Sequence, residues 1–325
     1  MAERVLIDCD PGIDDALALI LALKSPEITV EAITTVAGNA PVDVCTANVC
    51  RILDLVQPPR QPMIARGASK PIKRPLRTAP EVHGSDGLGG LDQFRHPDGS
   101  PRYPSAAVGI APAAADRVIL DTIAQHPDEL TIITLGPLTN LARAIQTDCD
   151  LMGRVKRIVT MGGAVGVPGN SSPVAEFNIW VDPDAAQILL HAGLPVTLVP
   201  LNVTRQVQLS REAIESWFEP IGDALAQFIL DSTAHAAAFG AEREGFAGIT
   251  LHDPLAVAVA IDPSLVTTRE VAIAVETTGA LTAGMTVADL RPRPDSGVPN
   301  AEVAMAVEAD RFLTFFVERL CQRSW

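Results

Sequence analysis

The sequence predicts an α/β fold: a mainly parallel sheet with helices on both of its faces. Two observations indicate it. Short β-branched or aliphatic runs alternate with longer amphipathic or alanine-rich runs along most of the chain, which is the order of parallel strands joined by helical crossovers. The runs assigned to strands are continuously apolar, as strands covered on both faces must be. Together they are typical of a Rossmann-like sheet.

The alternation is clearest in the first part of the chain. Strands are predicted at Val5–Ile7, Val30–Val36, Leu130–Leu135, Arg157–Met161 and Val196–Val199, and helices at Asp14–Lys24, Val42–Val56, Thr139–Thr147 and Pro183–His191. The last third continues with helices at Gly222–Gly240, after His252 and from Arg311, and with strands near Val271–Val275 and Val303–Val307.

One segment, Pro58–Pro104, departs from this alternation. It contains nine prolines, and its eight Lys or Arg against four Asp or Glu give it a local charge of +4. Because apolar patterning resumes beyond it in the same style, we interpret it as an irregular insertion within one domain that spans residues 1–325. A long loop of this kind in an α/β fold is often a lid or a binding loop.

The composition argues against several kinds of binding partner and cellular location. The chain has 25 Lys or Arg and 39 Asp or Glu, a formal charge of −14, so nucleic acids and anionic membranes would repel it. No apolar run reaches the ~18 residues needed to span a bilayer, and the first residues do not resemble a signal peptide. Five cysteines without a CxxC pair suit a reducing compartment, and we therefore expect a cytoplasmic protein.

The densest chemical feature is an acidic cluster in VLIDCDPGIDDA (Val5–Ala16). Asp8 and Asp10 share one face of a strand that is ending, and Asp14 and Asp15 open the next helix. In parallel α/β sheets, ligands bind at the carboxyl ends of the strands. A helix N-terminus can accommodate one or two of these charges as caps, but four carboxylates call for a cation. Ligands that are all oxygen favour a hard cation, and Ca²⁺ tolerates irregular geometry better than Mg²⁺ does.

Three further polar groups are expected at the same edge of the sheet. Taken singly, each has an ordinary structural explanation, such as a turn asparagine or a helix cap before proline. Taken together, they form a ring of amides and carboxylates suited to hydrogen-bonding a polyol such as a sugar. They are Asn39 in TTVAGNA, the Asn170, Glu176 and Asn178 of NSSPVAEFN after the glycine-rich MGGA, and His252–Asp253 at the start of a helix.

These motifs resemble those of the inosine–uridine-preferring nucleoside hydrolases. DCDPGIDDA, TTVAGN, TLGPLTNLA, MGGA, SPVAEFNIWVDPDAA and HDPLA occur in that family's order over nearly the whole chain. An acidic cluster alone is only moderately specific, whereas the cluster followed by AEFN and HDP is very specific. The resemblance implies hydrolysis of the N-glycosidic bond of ribonucleosides to ribose and free base in nucleoside salvage, a bound Ca²⁺, and a homodimer or homotetramer.

The resemblance also assigns residues to the metal and to the sugar. The calcium ligands would be the side chains of Asp10, Asp15 and Asp253 and the main-chain carbonyl of Leu135. The ribose hydroxyls would be held by Asp14, Asn39, Asn170, Glu176, Asn178 and Asp253, with Met161 nearby. Asp8 resembles a residue that lies behind the acidic cluster and orients the cluster's side chains.

The chemistry of the reaction agrees with these assignments. Splitting an N-riboside needs a nucleophilic water, a stabilised oxocarbenium-like transition state and help for the departing base. Calcium would orient the water and lower its pKa, with Asp10 as the general base. Carboxylates around the sugar would stabilise the positive charge that develops at the anomeric carbon.

Two histidines are candidates for contact with the base. His252 resembles the leaving-group acid of the pyrimidine-accepting and nonspecific members, and stacking on the base is the alternative. His83, in VHGSDG, resembles a second active-site histidine of those members, and a solvent-exposed loop histidine is the alternative. Many members carry tyrosines on the helix over the base, but Gln227–Gly240 has none and offers His235 and Phe239, so the preferred base stays open.

Two other functions fit the sequence less well. A haloacid-dehalogenase-type phosphatase also has DxD after its first strand, but Gly12 stands where it needs Thr or Val, and its late acidic motif is missing. A calcium-dependent nucleoside- or sugar-binding protein that has lost turnover would not be expected to keep Asp10, Asp14 and His252.

Overall fold

The computed structural model describes residues 2–104, 109–243, 245–291 and 297–322. The strands are β1 (Glu3–Cys9), β2 (Ile28–Thr35), β3 (Met63–Arg66), β4 (Ile110–Ala111), β5 (Leu130–Thr134), β6 (Arg157–Met161), β7 (Val196–Val199), β8 (Gln208–Ser210), β9 (Gly248–Thr250), β10 (Val266–Val271), β11 (Ile273–Val275), β12 (Thr286–Ala288) and β13 (Ala301–Val307). The helices are α1 (Ile13–Leu23), α2 (Val42–Val56), α3 (Pro80–His83), α4 (Ala115–Gln125), α5 (Thr139–Thr147), α6 (Cys149–Met152), α7 (Phe177–Val181), α8 (Pro183–His191), α9 (Leu201–Thr204), α10 (Arg211–Phe218), α11 (Ala224–Arg243), α12 (His252–Ile261) and α13 (Ala309–Cys321).

A nine-stranded sheet lies at the centre of the described chain, in the order β10-β13-β7-β6-β5-β1-β2-β3-β4. Neighbouring strands are parallel except β10, which pairs with β13 in the antiparallel direction at one edge. The pairs β8–β9 and β11–β12 form two small antiparallel sheets. The prediction of a mainly parallel α/β sheet is confirmed.

Helices cover both faces of the large sheet, and the period of two along each strand divides the core between them. Val5 and Ile7 belong to one apolar cluster with residues of α1, α2 and α12, whereas Leu6 belongs to the other with residues of α4, α5 and α8. Full burial of one such aliphatic side chain contributes about 1.5–3 kcal/mol, which is why these strands are continuously apolar. Among the described residues, no helix is long and apolar enough to cross a membrane.

The chain changes its direction across the sheet at β1. From β1 it proceeds outward through β2, β3 and β4, and it then returns to the other side of β1 as β5 and continues to β6 and β7. A crevice forms at the carboxyl ends of the strands that flank such a point, and ligands bind in it. Asp10 follows β1 and Leu135 follows β5, so the topology places both residues at this crevice.

The segment 58–104 is not irregular throughout, contrary to the sequence prediction. Met63–Arg66 forms β3, which pairs in parallel with β2 and buries Ile64 and Ala65 completely. The strand predicted near Val271–Val275 was also wrong in part. Two strands lie there, since β10 ends at Val271 in the large sheet and β11 begins at Ile273 in a separate hairpin.

Candidate active site

A cavity of about 400 Å³ opens at the carboxyl edge of the sheet. Two predicted metal ligands, Asp10 and Asp15, lie fully buried behind its wall, where both contact Asn39. The structure therefore brings the residues predicted from distant motifs to one place. Those that line the cavity are Asp14, Asn39, His83, Leu135, Met161, Asn170, Glu176, Asn178, His252 and Asp253.

Asp10 is held by backbone on several sides. The Asn39 N–H donates to its Oδ2 at 2.6 Å, and the Asp10 N–H donates to Asp15 Oδ1 at 3.2 Å. A Cβ on Gly38 would lie 2.0 Å from Asp10 Oδ2, and one on Gly136 would lie 2.5 Å from Oδ1, so both glycines are required for this close approach. Oδ1 is buried and accepts no hydrogen bond from the described residues.

Three other carboxylates form a compact acidic group. Oxygens of Asp14, Asp15 and Asp253 lie within 4.8 Å of one another. The Gly12 N–H and Asn39 Nδ2 donate to Asp15 Oδ2 at 2.9 and 3.0 Å. Burial, with repulsion from the neighbouring carboxylates, raises the pKa of Asp14 to about 8 and that of Asp253 well above its ordinary value. A bound cation would relieve this repulsion.

The acidic group fits a hard cation, because its donors are all oxygens. Among the described residues it contains neither His nor Cys, which argues against zinc. Of the three predicted side-chain ligands, Asp15 and Asp253 belong to this group and Asp10 does not. Asp14, which was predicted to hold ribose, also belongs to it. Leu135 lines the same cavity, and Asn178 Nδ2 donates to its carbonyl at 2.6 Å.

Asp8 lies behind the acidic group and is completely buried. Thr34 Oγ1 and Asn140 Nδ2 donate to its Oδ1 at 2.6 and 2.7 Å, and burial raises its pKa to about 7. Asn140 also donates to the carbonyl of Thr35 and accepts from the Ala68 N–H, so it ties β1 to β2 and to the segment after β3. Asn140 was not among the predicted site residues.

The polar residues at the N-terminus of α7 are fixed by backbone hydrogen bonds. Glu176 accepts from the N–H of Asn178 at 2.8 Å and from the N–H of Gly163 at 2.9 Å. Asn170 Oδ1 accepts from the Phe177 N–H at 2.9 Å. Carboxylate and amide groups are thereby presented in set orientations, which suits them to recognise hydroxyl groups in the cavity.

Both predicted histidines line the cavity, and burial lowers the pKa of each. His83 Nδ1 accepts from the Ile13 N–H at 3.0 Å, which excludes the alternative of a free loop histidine, and its pKa falls to about 3. His252 Nδ1 lies 2.7 Å from Thr204 Oγ1, and burial together with the charge of Arg205 lowers its pKa to about 4. Both imidazoles are therefore neutral at pH 7.

The rest of the lining is largely apolar and includes Phe239 and Ala236 of α11. His235, also offered by the sequence as a base-facing residue of this helix, is not part of the lining and instead hydrogen-bonds through Nε2 to the carbonyl of Glu81 at 3.1 Å. Some lining residues carry no sequence signal, because only the turn before α3, the loop before α7 and α7 itself bring them there. They are Arg77, Thr78, Ser171, Phe177 and Trp180.

A second concave surface, a groove of about 1400 Å³, lies beside the β11–β12 hairpin. It is larger than the cavity, but its lining is mainly apolar and contains none of the predicted site residues. The titratable groups whose pKa values are shifted by mutual contact gather at the smaller cavity, which is therefore the candidate active site.

Residues 5–314 match the family model described as inosine-uridine preferring nucleoside hydrolase. The chain belongs to this family. Like the other nucleoside hydrolases it is an enzyme that cleaves N-glycosyl bonds of ribonucleosides. The family resemblance read from the sequence motifs is thus confirmed.

Individual relatives support the same assignment. The pyrimidine-specific ribonucleoside hydrolase RihA of Salmonella paratyphi A is 39% identical over 321 residues, which cover 98% of this chain and 99% of the relative. A solved purine-preferring ribonucleoside hydrolase from Gardnerella vaginalis has a TM-score of 0.89 and 31% identity, with 98% of each chain covered. The plant nucleoside hydrolase PpNRh1 has a TM-score of 0.88 and 33% identity, with 99% of each covered.

Proposed function

We propose that this nucleoside hydrolase is calcium-dependent and releases ribose from ribonucleosides for salvage of the free base. The observation that carries the proposal is the acidic group in which Asp14, Asp15 and Asp253 bring oxygens within 4.8 Å of one another. Three buried carboxylates at this separation repel one another, and an ion that prefers oxygen ligands would stabilise them together.

The proposed calcium ligands are Asp10, Asp15, Asp253 and the Leu135 carbonyl. A calcium ion bound there would orient a water molecule and lower its pKa. Asp10 Oδ1 is the proposed proton acceptor, because this oxygen accepts no hydrogen bond from the described residues while Asn39 holds the other.

The proposed ribose contacts occupy two sides of the cavity. Asp14 and Asp253 belong to the acidic group, and Asn39 lies beside it. On the other side, Asn170, Glu176 and Asn178 lie near the N-terminus of α7, with Met161 at the end of β6. Several carboxylates would thereby surround the sugar and stabilise positive charge at its anomeric carbon.

The proposed base contacts are His83, His252 and Phe239. Because burial lowers the pKa of His252 to about 4, its ring is not an imidazolium at pH 7, and we propose that it contacts the base rather than protonating it as a stored acid. His83 is proposed to donate a hydrogen bond from Nε2, since its Nδ1 is already an acceptor.

We further propose pyrimidine ribonucleosides as the preferred substrates. Two observations support this: the curated relatives at 39% identity are named pyrimidine-specific, and both histidines typical of pyrimidine-accepting members line the cavity. The solved purine-preferring relative is less similar, at 31% identity.

We also propose that the protein forms a homodimer or homotetramer, as the family resemblance implies. Light scattering of the purified protein measures its mass and so tests this proposal.

A reducing-sugar assay over the common ribonucleosides and deoxyuridine tests the substrate proposal. We expect faster release of ribose from uridine and cytidine than from inosine, and no hydrolysis of any nucleoside tested would favour the binding-protein alternative.

The metal proposal is tested by exhaustive chelation, with the removal of calcium verified. Activity should disappear and return with Ca²⁺, and full activity in the calcium-free protein would contradict it.

A further inference from the structure

Two turns from distant parts of the chain meet beside the cavity. The acidic turn, Asp10–Ile13, joins β1 to α1, and the histidine turn, His83–Asp92, begins at the end of α3. The Ile13 N–H donates to His83 Nδ1 at 3.0 Å, and a Cβ on Gly12 would lie only 2.5 Å from that nitrogen. The imidazole therefore fits because position 12 is glycine, and the proton of the neutral ring lies on Nε2.

A buried amide ties the same two turns together at a second point. Asn48 lies on α2, is 1% exposed and does not line the cavity. Its Nδ2 donates to the carbonyl of Pro11 in the acidic turn at 3.2 Å and to the carbonyl of Asp86 in the histidine turn at 2.9 Å. Gly87, at φ +76°, permits this approach, because a Cβ there would lie 2.9 Å from Asn48 Nδ2.

A ring of hydrogen bonds fixes the direction in which the Asn48 amide faces. Arg51 Nη1 donates to Asn48 Oδ1 at 3.1 Å, and Arg51 Nη2 donates to Asp92 Oδ1 at 3.1 Å. The Asp92 N–H donates to Asp86 Oδ2 at 3.1 Å, which closes the ring at the residue whose carbonyl Asn48 holds. Because a guanidinium can only donate, it holds the amide oxygen and leaves both Nδ2 hydrogens for the two turns.

We infer that Asn48 is a positioning residue for the hydrolysis, which joins the acidic turn to the histidine turn and so keeps the Nε2–H of His83 at a fixed place in the cavity. The inference rests on the proposed function, in which His83 contacts the base. Without the amide, the carbonyls of Pro11 and Asp86 lose their shared donor, and one of the two links between the turns disappears. The histidine turn then shifts, and the imidazole samples both neutral tautomers.

A double-mutant cycle on uridine hydrolysis tests the inference. We expect Asn48→Ala to lower kcat/KM roughly tenfold in the otherwise unchanged protein, a coupling typical of residues in one hydrogen-bond network. In the His83→Ala background the same substitution should cost less than about twofold, because the group that it positions is gone. Equal losses in the two backgrounds would mean that Asn48 does not act through His83.

A matched control separates positioning from general loss of stability. Asn300 also donates both amide hydrogens to two carbonyls, those of Leu190 and Ile273, at 2.8 and 2.9 Å, but it lies outside the cavity. Asn300→Ala should therefore lower the melting temperature without changing kcat/KM. If Asn48→Ala does not fold, Asn48→Asp is used instead, because aspartate keeps the side-chain volume but lacks the Nδ2 donor. We expect Asn48→Asp to lower kcat/KM by the same roughly tenfold factor.

A measurement that does not depend on turnover keeps the inference testable. Nitrogen-15 NMR of histidine side chains, with His83 assigned through His83→Ala, should show one neutral tautomer protonated at Nε2 in the unchanged protein. In Asn48→Asp it should show both tautomers, and an unchanged spectrum would overturn the inference. A protein that hydrolyses no ribonucleoside yet shows this spectral change would contradict the proposed function and leave the role of Asn48 standing.

Discussion

The hydroxyl of Tyr103 donates to Asp231 Oδ2 at 2.7 Å and so joins the end of the 58–104 segment to α11. Arg102 Nη1 donates to the same oxygen at 2.9 Å, and Gln227 Nε2 donates to Oδ1 at 2.8 Å. The phenol is nearly buried, with its ring edge-on to Phe228. Because α11 contributes part of the cavity lining, this contact holds one wall of the candidate active site against the segment that carries His83.

Asp231→Ala is therefore expected to destabilise the protein and to raise KM. The substitution leaves the buried Tyr103 hydroxyl without its acceptor, at a cost of about 1–3 kcal/mol in the free energy of unfolding. Urea unfolding and steady-state kinetics measure the two effects. Asp121→Ala, which removes an exposed carboxylate paired with Arg117, should change stability by less than about 0.5 kcal/mol. Equal effects of the two substitutions would contradict the prediction.

The elements that the sequence predicted with correct bounds have clear signals at their ends. Val42–Val56 follows Pro41, and Pro183–His191 opens with a proline after the capping Asp182. β3 was missed because four residues with only two buried apolar side chains form too short a run to recognise among prolines. β10 and β11 were merged because neither Gly nor Pro marks the turn at Ala272.

The site residues that could be predicted from the sequence lie directly after a strand or in the first turn of a helix. Asp10 follows β1 and Asp253 lies in the first turn of α12. Ligands bind at the carboxyl ends of parallel strands, and this rule together with the motifs predicted both residues. Thr204, Asn48 and Asn140 were not predicted, because each hydrogen-bonds to groups from distant segments of the chain. A local pattern carries no information about such pairs, which exist only once the sheet has formed.

Asp10→Asn is expected to lower ribose release by at least about 100-fold, the usual contribution of a general base. Asparagine keeps the shape of the side chain between Gly38 and Gly136, so the variant should fold. Asp182 is an equally buried carboxylate outside the cavity, and Asp182→Asn should keep its turnover within about twofold of the unchanged protein, since it touches no reacting group. Undiminished turnover in Asp10→Asn would remove it as the base.

Thr204→Val is expected to reduce kcat/KM for uridine roughly fivefold, because it removes a hydrogen bond of about 1 kcal/mol that orients the His252 ring. Thr204→Ser keeps the hydroxyl and should stay close to the unchanged protein. Steady-state kinetics of both variants decide the matter. If valine and serine behave alike, the contact with His252 does not orient the ring for turnover.

Calcium and pH are expected to act together on stability. In the calcium-free protein, burial and mutual repulsion raise the pKa of Asp14 to about 8, whereas an unfolded aspartate has a pKa of about 3.9. A folded pKa above the unfolded value contributes stability that is present below about pH 4 and is lost as the pH rises towards 8. The calcium-free protein should therefore unfold more easily at pH 7.5 than at pH 5.

Calcium should remove this pH dependence, because it favours the charged carboxylates and binds the folded state alone. Thermal unfolding at pH 5 and 7.5, in chelator and in excess Ca²⁺, gives the four values needed, and stabilisation by calcium should be greater at pH 7.5. Asp14→Asn removes one of the repelling charges and should flatten the calcium-free curve, whereas Asp121→Asn, exposed on α4, should not. A calcium effect that is equal at both pH values would show that the ion does not bind at the acidic group, because relief of that repulsion is what makes its affinity depend on pH.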